Sequence, residues 1–239
     1  MTWRTSSSPR RSRSSRTSLL VGAAAALALA GACRGGPPAV SPLLAPQPQQ
    51  LDAAGPDSFV VRFETTKGAF DLKVHRDWAP RGADRVHWLV RHGFYDRARF
   101  FRVVPDFVVQ FGIPADTAVA RLWRTRRIDD DSVRRSNVRG TLSFAAGGPN
   151  TRTTQLFINL KDNTRLDHLG FAVLAQVVAG MEVVDSLYRG YGEGAPRGKG
   201  PSQERINAEG DAYLAREFPL LDQVRRARVV REWRRRGRA

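Results

Sequence analysis

At 239 residues the chain is long enough for one large domain or two small ones, and its 41% hydrophobic content is ordinary for a soluble globular protein. The formal net charge of +16 raises a polyanion partner, yet of the 39 basic residues only Lys67, Lys73, Lys161 and Lys199 are lysine. A GC-rich genome produces that arginine skew as readily as selection for binding does, so charge alone assigns no nucleic-acid function.

Residues 1–18 carry Arg4, Arg10, Arg11, Arg13 and Arg16 with no acid, and precede an apolar run from Leu19 to Ala32. A basic leader followed by an apolar stretch too short to span a membrane predicts a signal peptide over 1–32. Cys33, the only cysteine, follows directly in Leu29-Ala30-Gly31-Ala32-Cys33, which resembles a bacterial lipobox with alanine in place of the usual leucine. The resemblance implies lipidation of Cys33, a membrane anchor and a location in the cell envelope. Acylation would also remove an exposed thiol that has no disulfide partner within the chain. Residues 33–57, rich in proline, alanine and glutamine, predict the lipidated cysteine plus a disordered tether.

From Ser58 the pattern changes. Phe59, Val61 and Phe63 alternate with polar neighbours, and after Thr65-Thr66-Lys67-Gly68 the alternation resumes at Phe70, Leu72 and Val74, predicting two strands and a tight turn. Ala79-Pro80 opens a helix that ends at His92-Gly93, with proline in its first turn and glycine past its end. Strands are predicted over 100–104, 107–111, 141–145, 155–159 and 172–177, and a long surface loop over 113–138. Within that loop Asp129-Asp130-Asp131 reads as solvated acid. A short helix over 181–188, an exposed Gly/Pro loop over 190–200 and a helical segment over 202–218 weakened by Gly210 follow. A last strand over 224–233 and a basic tail over 234–239 complete the domain assigned to 58–233. Many short strands with few helices suggest a closed β-barrel.

Two blocks carry a family resemblance. Phe100-Phe101-Arg102-Val103-Val104-Pro105-Asp106-Phe107-Val108-Val109-Gln110-Phe111-Gly112 is similar to the cyclophilin segment F-H-R-[VI]-[VI]-P-x-F-x-x-Q-G-G. Gly140-Thr141-Leu142-Ser143-Phe144-Ala145-Ala146-Gly147-Gly148-Pro149-Asn150-Thr151, followed by Gln155-Leu156-Phe157-Ile158-Asn159, resembles the family's second block. The order and spacing also match, over roughly residues 58–190. The resemblance implies a mainly β fold, a closed eight-stranded antiparallel barrel capped by two or three helices, and peptidyl-prolyl cis/trans isomerase activity.

That activity needs a donor for a twisting X-Pro amide and a slot for the ring, and the resemblance assigns no cofactor and no metal. Arg102, Phe107 and Gln110 take the catalytic positions, and Val108, Ala145, Ala146, Gln155, Phe157, Leu166 and Phe171 the substrate-binding ones. The four histidines have no metal-ligand spacing. The implied partners are proline-containing segments of exported or unfolded proteins, with no specific nucleic acid; a monomer is the default state. Four departures stand out: Ala146 replaces the family asparagine, Arg165 an aromatic, Phe171 the usual pocket histidine, and Phe111 the first of two glycines. A binding module with little turnover remains the alternative, and retention of Arg102 argues against it.

Overall fold

The computed structural model describes residues 41–234. The predicted signal peptide, Cys33 and residues 235–239 of the basic tail lie outside the described residues. Eight strands form one antiparallel sheet in the order β3-β4-β6-β5-β7-β2-β1-β8. They are β1 (Ser58–Thr65), β2 (Gly68–His75), β3 (Arg102–Val104), β4 (Val108–Phe111), β5 (Thr141–Phe144), β6 (Leu156–Asn159), β7 (Val173–Ala179) and β8 (Val224–Trp233).

The β1–β2 hairpin shows how local sequence sets the register. Ser58 pairs with His75 and Thr65 with Gly68. The Thr65 hydroxyl donates to the Gly68 carbonyl (2.8 Å) and accepts from the Lys67 amide (3.0 Å), and Gly68 takes φ +128°, a conformation other residues resist. Phe59, Val61 and Phe63 of β1 then face the core with Phe70, Leu72 and Val74 of β2. Each such side chain contributes about 1.5–3 kcal/mol by leaving water.

The sheet is curled but open, which corrects the expected closed barrel. Strands β3 and β8 end the order and do not pair as strands. Only the segment before β3 meets the start of β8 and the residues ahead of it, through an Arg99–Gln223 bridge, Arg97 N to the Val224 carbonyl (2.8 Å) and Phe100 N to the Asp222 carbonyl (3.0 Å). All 3 residues of β3 pair with β4, the 10-residue β8 pairs with β1, and no ladder joins the two. Six α-helices and one 3₁₀ turn accompany the sheet among the described residues, more than the two or three expected. They are α1 (Pro48–Leu51), α2 (Pro80–Arg91), α3 (Thr117–Trp123), α4 (Met181–Asp185), α5 (Gln203–Glu209) and α6 (Asp211–Glu217).

Helix α2 buries Ala83, Val86, Leu89 and Val90 in the main core. Its first turn is held from a distance. Asp131 accepts from the Arg81 amide (3.0 Å), the Gly82 amide (2.9 Å) and Arg152 Nη1 (3.1 Å). A carboxylate suits the orphan N–H groups of a helix start. Asp131 is therefore a buried structural anion rather than the solvated acid expected.

The segment 113–138 also contains a helix where a loop was predicted. Asp116 caps α3 by accepting from Ala118 N (2.8 Å) and Val119 N (3.1 Å), and Val119, Ala120 and Trp123 are buried. Trp123 Nε1 donates to the Leu43 carbonyl (2.8 Å). Leu43 and Leu51 pack against the main core, so residues 41–57 lie along the domain and carry α1, whereas composition predicted a disordered tether. Two leucines in contact with a core offset an ordering cost that the surrounding prolines and glutamines cannot.

Between α4 and β8 the chain makes an excursion with a core of its own. Ile206, Tyr213, Leu214 and Phe218 pack with Leu221 on Phe101, Ile113 and Ala120. Gly210 separates α5 from α6 at φ +66°; a Cβ there would stand 2.8 Å from the Ala115 carbonyl oxygen, so this close approach requires glycine.

Candidate active site

The alternation of strands β3, β4, β6 and β5 builds the site. Val103, Val109, Leu142, Phe144, Leu156 and Ile158 point into the main core. Their neighbours point the other way, and the register aligns Arg102 with Gln110, Gln110 with Phe157 and Phe157 with Ser143. Four strands thus set one transverse row on the outer face.

Beside this row lies a cavity of about 400 Å³. Nine of the residues expected from sequence line it: Arg102, Phe107, Val108, Gln110, Ala145, Ala146, Phe157, Leu166 and Phe171. Gln155 lines an adjoining groove with Thr151 and Thr153. Val108, Phe157 and Leu166 form a separate small apolar cluster, flanked by Phe107, Ala145 and Phe171. The Phe157 and Phe171 rings meet edge to face at 5.6 Å. Phe107 follows a turn in which Asp106 takes φ 55°, and its carbonyl accepts from Leu160 N and from Asn163 Nδ2, both at 2.9 Å.

Arg102 stands at the polar end, with its guanidinium 5.4 Å from the Phe107 ring centre; that of Arg165 lies 5.0 Å from the same centre. Arg102 Nη1 donates to Gln110 Oε1 (3.1 Å), Gln110 Nε2 to Gln155 Oε1 (2.8 Å) and Gln155 Nε2 to Gln203 Oε1 (3.1 Å). On its other side Arg102 donates from Nε and Nη2 to the two oxygens of Glu193 (2.6 and 2.7 Å). Glu193 and Gln203 were not singled out by sequence reasoning. Both lie in the excursion after α4, and the only local signal is a lone carboxylate between two glycines at Gly192-Glu193-Gly194.

The wall carrying Leu166 and Phe171 is fastened by Asp167. One carboxylate oxygen accepts from Asn137 N and Asn137 Nδ2 (both 2.8 Å), the other from the Ser136 hydroxyl, and Asn137 Nδ2 also donates to the Phe171 carbonyl (2.8 Å). Burial raises the Asp167 carboxyl, but the Ser136 and Asn137 hydrogen bonds outweigh it and hold the group below its ordinary value. A depressed folded value gives stability that is present above the ordinary carboxylate value and lost as pH falls through the depressed one. Asp167→Asn is therefore expected to lower the urea midpoint at pH 7. Its deficit against the parent should shrink below about pH 4; a gap that stays constant into acid would refute the role.

The arrangement offers an apolar slot with arginine and glutamine donors at one end and main chain along its rim. Comparison with known proteins gives a concordant result. Residues 60–207 match the family model described as cyclophilin type peptidyl-prolyl cis-trans isomerase/CLD. A peptidyl-prolyl cis-trans isomerase of Acinetobacter baylyi is 31% identical over 133 residues, which cover 54% of this chain and 71% of that protein. One from Streptomyces antibioticus is 32% identical over 148 residues, covering 58% and 87%. The crystal structure of a cyclophilin type isomerase from Cryptosporidium parvum shares the fold with TM-score 0.56 at 18% identity, over 73% of this chain and 99% of that one. The chain belongs to the cyclophilin-type peptidyl-prolyl cis-trans isomerase family.

Proposed function

We propose that this isomerase serves the folding of exported proteins from a lipid anchor at Cys33 in the cell envelope, acting as a monomer, with Arg102 as its principal donor. The observation that carries the chemical part is the guanidinium of Arg102 at the mouth of the Phe107, Val108, Phe157 and Leu166 slot. Rotation about an X-Pro bond must overcome about 18–20 kcal/mol of amide resonance. As the amide twists, its nitrogen regains a lone pair. A donor held at that nitrogen stabilises the twisted form more than the planar one, and only such differential binding accelerates the step.

The slot grips the prolyl ring while Gln110 and Gln155 hold the flanking main chain. The Ala145 amide already donates to the Gln155 carbonyl (2.9 Å), so the rim meets an extended substrate through the Ala145 carbonyl and the main chain of Ala146. Loss of the family asparagine at Ala146 removes a side-chain contact and leaves this main-chain one.

The envelope role is supported by the basic leader, the apolar run and Cys33 in the sequence. Uncatalysed X-Pro isomerisation takes tens to hundreds of seconds, slow enough to limit the folding of an exported chain. Mass spectrometry of membrane fractions tests the anchor: diacylglyceryl-modified Cys33 at the mature N-terminus is expected. An unmodified Cys33 would remove the anchor and leave the isomerase untouched.

A further inference from the structure

We propose that Glu193 is the positioning residue for Arg102, supplied by the excursion between α4 and β8 rather than by the sheet. The inference rests on reading Arg102 as the donor to the twisting amide. Arg102 lies in β3, a short strand at the edge of the sheet, where its long side chain needs fixing if a hydrogen is to meet a specific nitrogen. Glu193 grips the Nε and Nη2 side with both oxygens, and Gln110 takes Nη1. Of the five guanidinium hydrogens, three are then engaged and one remains free on each terminal nitrogen. A planar fork clamped at one side can present its remaining hydrogens in only one orientation.

The loop is built around that carboxylate. Gly194 N donates to Glu193 Oε1 (3.1 Å) and Gly200 N to the Glu193 carbonyl (2.9 Å). A Cβ at Gly198 would collide with the Glu193 carbonyl oxygen, and one at Gly200 would stand 2.8 Å from it. Only glycine lets the chain fold back so closely. The loop is in turn secured by Tyr191, which packs against the excursion's own core. Ala195, Pro196 and Arg197 are exposed at the rim and the cavity stays open, so this segment is a wall rather than a plug. The hydrogen bonds from Arg102, opposed by partial burial, hold the Glu193 carboxyl below its ordinary value, so it is a carboxylate at neutral pH.

The test compares Glu193→Gln and Glu193→Asp with the unaltered full chain, measuring kcat and KM separately by exchange NMR on an Ala-Pro peptide. The Arg102 Nε–H resonance reports the clamp itself. Removing the charge in Glu193→Gln is expected to lower kcat about ten- to a hundred-fold with KM unchanged, since misplaced reacting groups cost rates of that order. Glu193→Asp, which keeps the charge one methylene short, should fall between, and the Arg102 resonance should shift in both. A kcat at or above that of the unaltered chain in Glu193→Gln would overturn the inference, marking the carboxylate as inert or as a brake. An Arg102 resonance that does not move would overturn it as well. Should Arg102→Ala leave the rate unchanged, the donor role itself fails, which is a different result.

Discussion

Arg102→Ala is expected to lower kcat/KM for Xaa-Pro peptides by about 10²–10³-fold, the usual cost of deleting one donor aimed at developing charge. The loss should fall on kcat, because the Phe107, Val108, Phe157 and Leu166 slot that binds the ring is left in place. Phe107 loses a cation near its face, but Arg165 still lies 5.0 Å from its centre, so a modest rise in KM is the most the ring should show. A protease-coupled assay on the full chain and the variant, each checked for fold by circular dichroism, decides the matter. A variant rate close to that of the unaltered chain would leave the groove as a binding site whose turnover depends on other groups.

The largest effect on stability is expected at Trp123. Its side chain is fully buried, its ring lies 5.2 Å from that of Trp88 and 5.6 Å from that of Phe94, and the Arg85 guanidinium lies 5.3 Å from its centre. Trp123→Ala should cost about 3–5 kcal/mol in guanidinium unfolding, the range for truncating a buried large aromatic. It should also free the Leu43 carbonyl and the chain around it, which then becomes sensitive to chymotrypsin at Leu43 and Leu44 while the sheet resists. A loss below about 1 kcal/mol, or no new cleavage, would show that the segment is held by other contacts.

How much of this was legible in the sequence depends on the range of each interaction. Strands β1 and β2 were legible because alternation and a glycine turn are local signals. Arg102, Gln110 and Phe157 were legible from blocks of family-like sequence, and the ladder from β3 through β4 to β6 brings them into one row. Helix α3 was not, because 7 residues cover fewer than two turns and no period can be read from them. Glu193 was invisible for a different reason: its partner lies 91 residues away, and nothing in Gly192-Glu193-Gly194 specifies an arginine. Phe111, which departs from the family glycine, proved to be a core residue packed on Phe63, Tyr95 and Phe100, and the chain turns at Gly112 instead, at φ +104°. The openness of the sheet lies in a missing ladder between β3 and β8, and strand periodicity carries no information about closure.

That openness has a consequence for how copies of the protein behave toward each other. A sheet that does not close leaves most of the outer side of β8, beyond its first residue, without a partner strand, and an exposed edge can template another chain into fibrous aggregates. The outer edge of β8 carries exposed Val230 and Trp233, which would favour such growth. Arg225, Arg226 and Arg231 are exposed on the same strand, so two copies approaching edge to edge would bring like charges together. Part of the chain's large positive charge thus acts as mutual repulsion, opposing edge-to-edge association of an unclosed sheet.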